Sequence, residues 1–373
     1  MIPAVTQRVN EGRELGVAAN FPPWDEICER ILGRPGLVLV IGATDTGKTT
    51  FVTYLVRRAC ARGVATAVVD ADIGQSEIGP PTCVSLGFVT DCVEQLSQVQ
   101  AATSGFVGSI SPEWALLDHL TQTCAMAARA RESGVPLMVV DTTGFAPLPW
   151  CESLKRAKLD ALKPDYVVAL ERRESTSPLY RTLRGLEKPF VSFAPVPEWV
   201  ATKPPEMRAQ RRAWRLSRAM ASGTVRAWPL EELILENTWL GSGQRLTRAA
   251  LKQLSAETHT EVVYAELIGR RLGIVLRRDG EHEVLRAATE RLYGTGTVMV
   301  IRTSVLDGLL VGLHDAARNF LGLGLLAGID FAAYRIRILT SIATPSAVRM
   351  ARLGYLRCNP QGQVLGVVRP REL

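Results

Sequence analysis

The chain has 373 residues, 47% hydrophobic and 22% charged, with a net charge of +7, a globular composition that excludes disordered and collagen-like proteins. Domains of roughly 100–200 residues divide this length into two, with room for a small appendage. Cys28, Cys60, Cys83, Cys92, Cys124, Cys151 and Cys358 include no C-x-x-C pair and read as reduced, mostly buried thiols of a cytoplasmic protein.

In chain order, Met1–Trp24 lacks an apolar signal core, and residues 1–36 read as a short lead-in with a helix starting at Pro22-Pro23-Trp24. Leu37-Val38-Leu39-Val40-Ile41 is a continuous apolar run and predicts a strand buried on both faces. Helical spacing over Thr49–Ala61 (Phe51, Leu55, Val56, Ala59) and a second buried strand, Val64–Val69, complete a βαβ unit. A helix over Trp114–Glu132 leads into the strand Pro136–Val140, and a helix over Lys155–Leu162 leads into the strand Tyr166–Leu170. This alternation predicts an α/β fold, a doubly wound, mostly parallel sheet with helices on both faces, spanning residues 37–230. Beyond it, Glu261–Tyr264, Leu272–Leu276, Thr297–Ile301 and Tyr334–Leu339 are short β-branched runs between turn residues, so residues 231–373 read as a β-rich C-terminal domain. The apolar stretch 305–331 is broken by Asp307, His314, Asp315, Arg318 and Asp330 and cannot be a membrane span.

Between the first strand and its helix stands Gly42-Ala43-Thr44-Asp45-Thr46-Gly47-Lys48-Thr49, the G-x-x-x-x-G-K-[ST] phosphate loop of P-loop NTPases, known as Walker A. Its backbone N–H groups close around phosphates, Lys48 neutralises them and Thr49 can hold Mg²⁺. Gly42, Thr44, Asp45, Thr46, Gly47, Lys48, Thr49 and Thr50 are therefore the candidate nucleotide contacts. The second strand ends in Asp70-Ala71-Asp72, two carboxylates at the sheet edge where such folds bind ligands. They suit a metal or a base that takes an acceptor proton, with a pair of solvated turn residues as the lesser alternative. Leu137–Val140 runs into Asp141, the expected second metal-side carboxylate. The four histidines, His119, His259, His282 and His314, are dispersed and read as structural.

Residues 151–230 carry 16 basic and 8 acidic side chains, leaving the rest of the chain close to neutral. Within them Lys203, Arg208, Arg211, Arg212, Arg215, Arg218 and Arg226 face only Glu206, either as a solvated helix face or as a surface for phosphate.

The phosphate loop, the segment Asp70-Ala-Asp-Ile-Gly-Gln-Ser-Glu-Ile-Gly-Pro-Pro81, Phe106-Val-Gly-Ser-Ile-Ser-Pro112 and Asp141-Thr-Thr-Gly-Phe145 together resemble the RNA 5′-hydroxyl polynucleotide kinases, most closely the compact archaeal type. Gly308–Leu313 and Leu321–Gly324 resemble the β-rich C-terminal domain of the same enzymes. The resemblance implies transfer of the γ-phosphate of ATP, with Mg²⁺, to the 5′-hydroxyl end of RNA or DNA, and leaves room for an RNA-processing nuclease or ligase as a further partner. It implies phosphate and metal roles for Lys48 and Thr49, Asp72 as the group activating the acceptor hydroxyl and as a metal-side carboxylate, and Mg²⁺ held through water by Asp141. Asp70 and Gln75 join the substrate contacts, Gln75 as a clasp, and Thr142-Thr143-Gly144 shape the acceptor pocket. The segment 207–215 stands where the family carries a lid, at about residues 200–220. Arg208, Arg211 and Arg212 are its candidate catalytic arginines, with Arg215 beside them on the acceptor. An aromatic partner for the acceptor base is expected among Phe145, Trp150, Trp199 and Trp214.

Two other readings stand beside this one. Asp141-Thr-Thr-Gly144 fits the D-x-x-G of an NTPase switch or scaffold, although no Asn-Lys-x-Asp accompanies it, the nearest string being Thr202-Lys203-Pro204-Pro205. A small-molecule kinase with the same loop would have little use for the basic segment.

Overall fold

The computed structural model describes residues 20–144 and 149–373. Helix α1 (Pro22–Gly33) begins at the proline pair, which fits a helical first turn where no N–H donor is needed. The first sheet is built from β1 (Leu37–Gly42), β2 (Thr66–Ala71), β3 (Cys83–Val89), β4 (Ala101–Phe106), β5 (Leu137–Thr142), β6 (Tyr166–Glu171) and β7 (Phe190–Pro195). Its order is β4-β3-β2-β5-β1-β6-β7. The strands β2, β5, β1, β6 and β7 are parallel, and β3 and β4 form an antiparallel edge. Helix α2 (Lys48–Ala61) joins α1 on one face, while α3 (Leu116–Glu132), α4 (Pro149–Leu162) and α5 (Pro178–Arg184) cover the other. The uninterrupted apolar run of β1 follows from this layering: Val38 and Val40 enter the core beneath α2, Leu37, Leu39 and Ile41 the opposite one.

After β7 comes the lid helix α6 (Pro205–Ala219) and then β8 (Thr224–Pro229). The sequence reading grouped residues 224–229 with the phosphate-loop sheet. Instead β8 pairs along its whole length with a later strand, from Thr224 opposite Thr340 to Pro229 opposite Arg335, because strand partnership is set by long-range register that local pattern does not carry. The remaining elements are β9 (Ile234–Glu236), β10 (Gln244–Arg245), α7 (Arg248–Thr258), β11 (Val262–Ile268), β12 (Arg271–Leu276), α8 (His282–Tyr293), β13 (Val298–Arg302), β14 (Leu309–His314), β15 (Phe320–Asp330), β16 (Arg335–Thr340), β17 (Met350–Cys358) and β18 (Val364–Val367). They form a four-stranded sheet, β10-β11-β12-β13, backed by α7 and α8, and a second sheet, β18-β17-β14-β15-β16-β8, with β9 parallel to β17. The β-rich C-terminal region thus holds two sheets, and α7 and α8 are additions to the expected pattern. Among the described residues no helix is long and apolar enough to cross a membrane.

The first and last sheets are joined at the segment following β4. The N–H of Tyr355 donates to Gly108 O at 2.7 Å, and Phe106 stacks on Phe320 with centroids 6.3 Å apart. One cysteine expectation is corrected. Cys60 and Cys92 form a disulfide across 32 residues, with Cα atoms 5.5 Å apart. A search for closely spaced pairs cannot see it, since the fold alone brings the end of α2 to the loop after β3. Cys28, Cys83, Cys124, Cys151 and Cys358 lie outside this disulfide and keep their thiols.

Candidate active site

Three adjacent parallel strands, β2, β5 and β1, end on the same side and deliver Asp72, Asp141 and the phosphate loop to one crevice. Gly47 caps α2 in the left-handed region, at φ 79°, where a side chain would be strained. No side chain caps this helix, so its first N–H groups point into the loop as anion donors. Lys48 Nζ donates to Ala43 O at 2.7 Å, Thr46 Oγ1 to Ala43 O at 2.9 Å and Thr44 Oγ1 to Gly144 O at 2.8 Å. A Cβ on Gly144 would stand 2.7 Å from Lys48 Nζ and 2.8 Å from Thr44 Cα. Glycine is therefore required where the chain after β5 crosses the loop. Thr50 sits half-buried in the first turn of α2.

Thr49 Oγ1 donates to Asp141 Oδ2 at 2.6 Å, whereas Asp141 Oδ1 is buried without a hydrogen-bond partner. Burial pushes the Asp141 carboxyl up to about 7, with Thr49 and Lys48 pulling it back. A buried carboxylate oxygen left unpaired beside a hydroxyl is a donor set that fits a divalent cation with phosphate oxygens completing its shell. No group of three or more His, Cys, Asp or Glu gathers as a metal cluster among the described residues.

The two carboxylates of the Asp70–Asp72 pair have separate roles. Asp70 is buried. Its Oδ1 accepts the N–H of Asp72 at 3.0 Å and its Oδ2 those of Glu77 and Ile78 at 2.6 and 2.8 Å. Its assignment as a substrate contact is therefore corrected: both oxygens hold the loop, and desolvation raises its pKa well above the usual range. Among the described residues Asp72 uses only Oδ1, which accepts the N–H groups of Gly74 and Gln75, each at 3.1 Å. Electrostatically Asp72 is the hub of the crevice. It is the leading attractive charge on Lys48, on the buried Lys158 of α4 and on Arg212 of the lid, though burial depresses all three cations more strongly.

The lid arginines are sorted by their partners. Arg208 Nη1 pairs with Asp45 at 2.8 Å, tying α6 to the phosphate loop. Arg211 and Arg215 both grip Glu77, at 2.7 and 3.0 Å, and Arg215 also donates to Glu77 O at 2.9 Å. Gln75 Nε2 reaches Arg208 O at 3.4 Å, closing the clasp from below. Arg212 alone of the four has no carboxylate partner among the described residues, and its Nε is buried and unpaired. Two acids outside the basic segment, Asp45 and Glu77, thus partner three of its arginines.

Further expectations change in the structure. Thr142 Oγ1 is buried and donates to Val40 O at 2.7 Å, so it stitches β5 to β1 and does not shape a pocket. Thr143 is buried beside it. Trp199 packs against Trp24, with centroids 5.8 Å apart, Trp150 is half-buried in α4, and Trp214 is 58% exposed on the lid with Arg218 at 5.4 Å. Phe145 lies outside the described residues. Sequence reasoning missed Glu77, the latch for two arginines, and Arg172, which donates to Asp45 O and Val200 O at 2.9 and 2.8 Å. It also missed Lys155 and Lys158, pushed down by burial to about 8 and about 7. Their signal was present: both fall on the buried stripe of α4 with Cys151, Leu154 and Leu162. Lys158 Nζ lies 3.3 Å from His119 Nε2, itself 2.8 Å from Ala71 O.

Comparison with known proteins gives a consistent picture. Residues 42–219 match the family model described as the P-loop of the mRNA cleavage and polyadenylation factor CLP1. A polyribonucleotide 5′-hydroxyl-kinase of Pyrococcus furiosus is 31% identical over 90% of this chain and 92% of its own length. One of Methanocaldococcus jannaschii is 28% identical over 91% and 92%. The solved Clp1p–Pcf11p complex superposes with a TM-score of 0.58 at 14% identity, covering 89% of this chain and 77% of that one, a likeness of fold.

Proposed function

Since the chain belongs to the CLP1 P-loop family and is an ATP-dependent polyribonucleotide 5′-hydroxyl kinase by its full-length relatives, we propose the following division of labour in its crevice. The α2 N-terminus and Lys48 hold the phosphates of ATP. Thr49 and Asp141 would hold Mg²⁺, which would supply charge neutralisation to the reacting phosphates. Asp72 receives the proton of the acceptor 5′-hydroxyl as that oxygen bonds to the γ-phosphorus and ADP leaves in line. Arg212 stabilises the charge that builds on the transferring group, while Arg208, Arg211 and Arg215 hold the lid over it.

The observation that carries this reading is the second oxygen of Asp72, which has no hydrogen-bond partner among the described residues while Oδ1 alone holds the turn at the edge of the phosphate-loop crevice. A water-activating switch needs no such basic lid above its carboxylate. The acceptor is proposed to be RNA first, with DNA as a second substrate, approached along the cations of residues 200–226. Endonucleolytic cleavage that leaves a 5′-hydroxyl would supply the substrate, and a ligase requiring a 5′-phosphate would consume the product. The protein's compartment is proposed to be the cytoplasm, where ATP and RNA ends meet.

The test is incubation with γ-labelled ATP, Mg²⁺ and matched RNA and DNA oligonucleotides bearing 5′-hydroxyl or 5′-phosphate ends, with Lys48→Ala as control. Label is expected on 5′-hydroxyl ends alone and lost in the control. Lys48-dependent release of phosphate to water, with no labelled oligonucleotide, would overturn the reading in favour of a switch.

A further inference from the structure

Resting on the kinase reading, we propose that Trp114, with Arg369 beside its ring, is a stacking platform for a base of the acceptor strand downstream of its 5′-terminal nucleotide. The indole is 40% exposed and Leu117, one helical turn on, is 81% exposed, although Pro112 and Ala115 between and before them are buried. An apolar pair held outward from a buried backbone is mounted for contact. Its mounting is rigid. Pro112–Trp114 forms a single 3₁₀ turn whose Ala115 N–H donates to Pro112 O at 2.9 Å, and the Glu113 N–H reaches Ser111 Oγ at 3.5 Å.

The platform adjoins the chemistry. A Cβ placed on Gly74 would stand 2.7 Å from Ile110 O, so the segment leading to Trp114 lies directly against the Asp72–Gln75 turn. Ile110 and Trp114 are four residues apart, a span of at most about 14 Å, within reach of the first few nucleotides beyond the 5′ end. On the other side, His119 Nε2 sits 2.8 Å from Ala71 O, next to Asp72, and Tyr355 N–H holds Gly108 O. The backbone that carries Trp114 is therefore anchored beside the Asp72–Gln75 turn from both directions.

Arg369 supplies the second half of the chemistry. Its Cζ lies 5.9 Å from the Trp114 centroid and its backbone N–H donates to Glu372 Oε2 at 2.7 Å. A guanidinium beside an exposed indole offers stacking to a base and charge to the adjoining phosphate. Every base has a π-face, so the platform reads strand length and not sequence.

The experiment measures kcat/KM for a nucleoside 3′-monophosphate and for 5′-hydroxyl di-, tri- and hexaribonucleotides in wild type, Trp114→Ala and Trp114→Phe. The expected result is that the gain in kcat/KM from mononucleotide to hexanucleotide shrinks roughly five- to hundredfold in Trp114→Ala and is largely recovered in Trp114→Phe. A Trp114→Ala length profile parallel to wild type overturns the platform. Indole fluorescence titrated with the hexanucleotide, without ATP, reads the same contact apart from catalysis. Quenching that Trp114→Phe abolishes supports the platform, and identical quenching in both proteins overturns it. If the wild type phosphorylates no acceptor while Trp114-dependent quenching persists, the kinase reading fails and the platform stands.

Discussion

Replacing Arg212 with alanine discriminates most sharply among the four arginines of the lid. The other three are held by carboxylates, Arg208 by Asp45 and Arg211 and Arg215 by Glu77. Arg212 has no carboxylate partner among the described residues, and Asp72 is its leading attractive charge. A guanidinium brought to about 4 Å of a developing phosphoryl charge is worth about 4 kcal/mol at an effective dielectric of about 20, or roughly a thousandfold in rate. That lies at the lower end of the range for arginines that reach the transferring phosphate, about 10³–10⁵. Single-turnover transfer from γ-labelled ATP to a 5′-hydroxyl RNA should accordingly fall about a thousandfold in Arg212→Ala, with ATP binding little changed. The melting temperature should not fall, because the substitution leaves no charge unpartnered. Arg215→Ala, by contrast, strips Glu77 of one of its two cations and should lower both lid stability and acceptor affinity. Arg212→Ala within tenfold of wild type, with Arg211→Ala or Arg215→Ala a thousandfold down, would refute the assignment.

Asp72→Asn keeps the Oδ1 acceptor for Gly74 and Gln75, so the turn and ATP affinity should survive while kcat drops about 10²–10⁴-fold; normal kcat removes Asp72 as the base. Gly144→Ala places a methyl against Lys48 Nζ and Thr44 Cα and should weaken ATP binding at least about tenfold at an overpacking cost of about 1–3 kcal/mol, checked by nucleotide titration and refuted by unchanged affinity. Lys158 has its pKa depressed by burial to about 7. Folding therefore carries a penalty that is absent above the unfolded value near 10.5 and grows as pH falls toward 7, about 3 kcal/mol at pH 8 and about 1 kcal/mol at pH 10. Lys158→Met should thus raise the melting temperature of the nucleotide-free protein more at pH 8 than at pH 10, and an equal gain at both would show that Lys158 is charged in the fold.

The local signals in this chain are strong where chemistry leaves few alternatives. A loop that wraps phosphates needs Gly47 in the left-handed region and a strand and helix on either side of it, so Gly42–Thr49 announced its own context. A strand covered on both faces needs apolar residues without alternation, so β1, β2, β5 and β6 were legible as runs. The resemblance carried by the Asp70–Pro81 segment added the reaction class.

What the tertiary structure decided were the partners. The residues alone place Asp70 and Asp72 side by side at the sheet edge, yet only the fold shows that three backbone amides take both oxygens of Asp70, whereas Asp72 gives only Oδ1 to the turn. Likewise the lid presents several arginines at one helical spacing. Glu77 and Asp45 select among them, and both lie more than 130 residues away. Cys60 and Cys92, β8 and β16, and Lys158 and His119 are joined on the same principle. Propensity and pattern act over a few residues along the chain, whereas hydrogen-bond satisfaction, charge pairing and burial act over a few ångströms in space, and only the folded chain makes the second kind of neighbour.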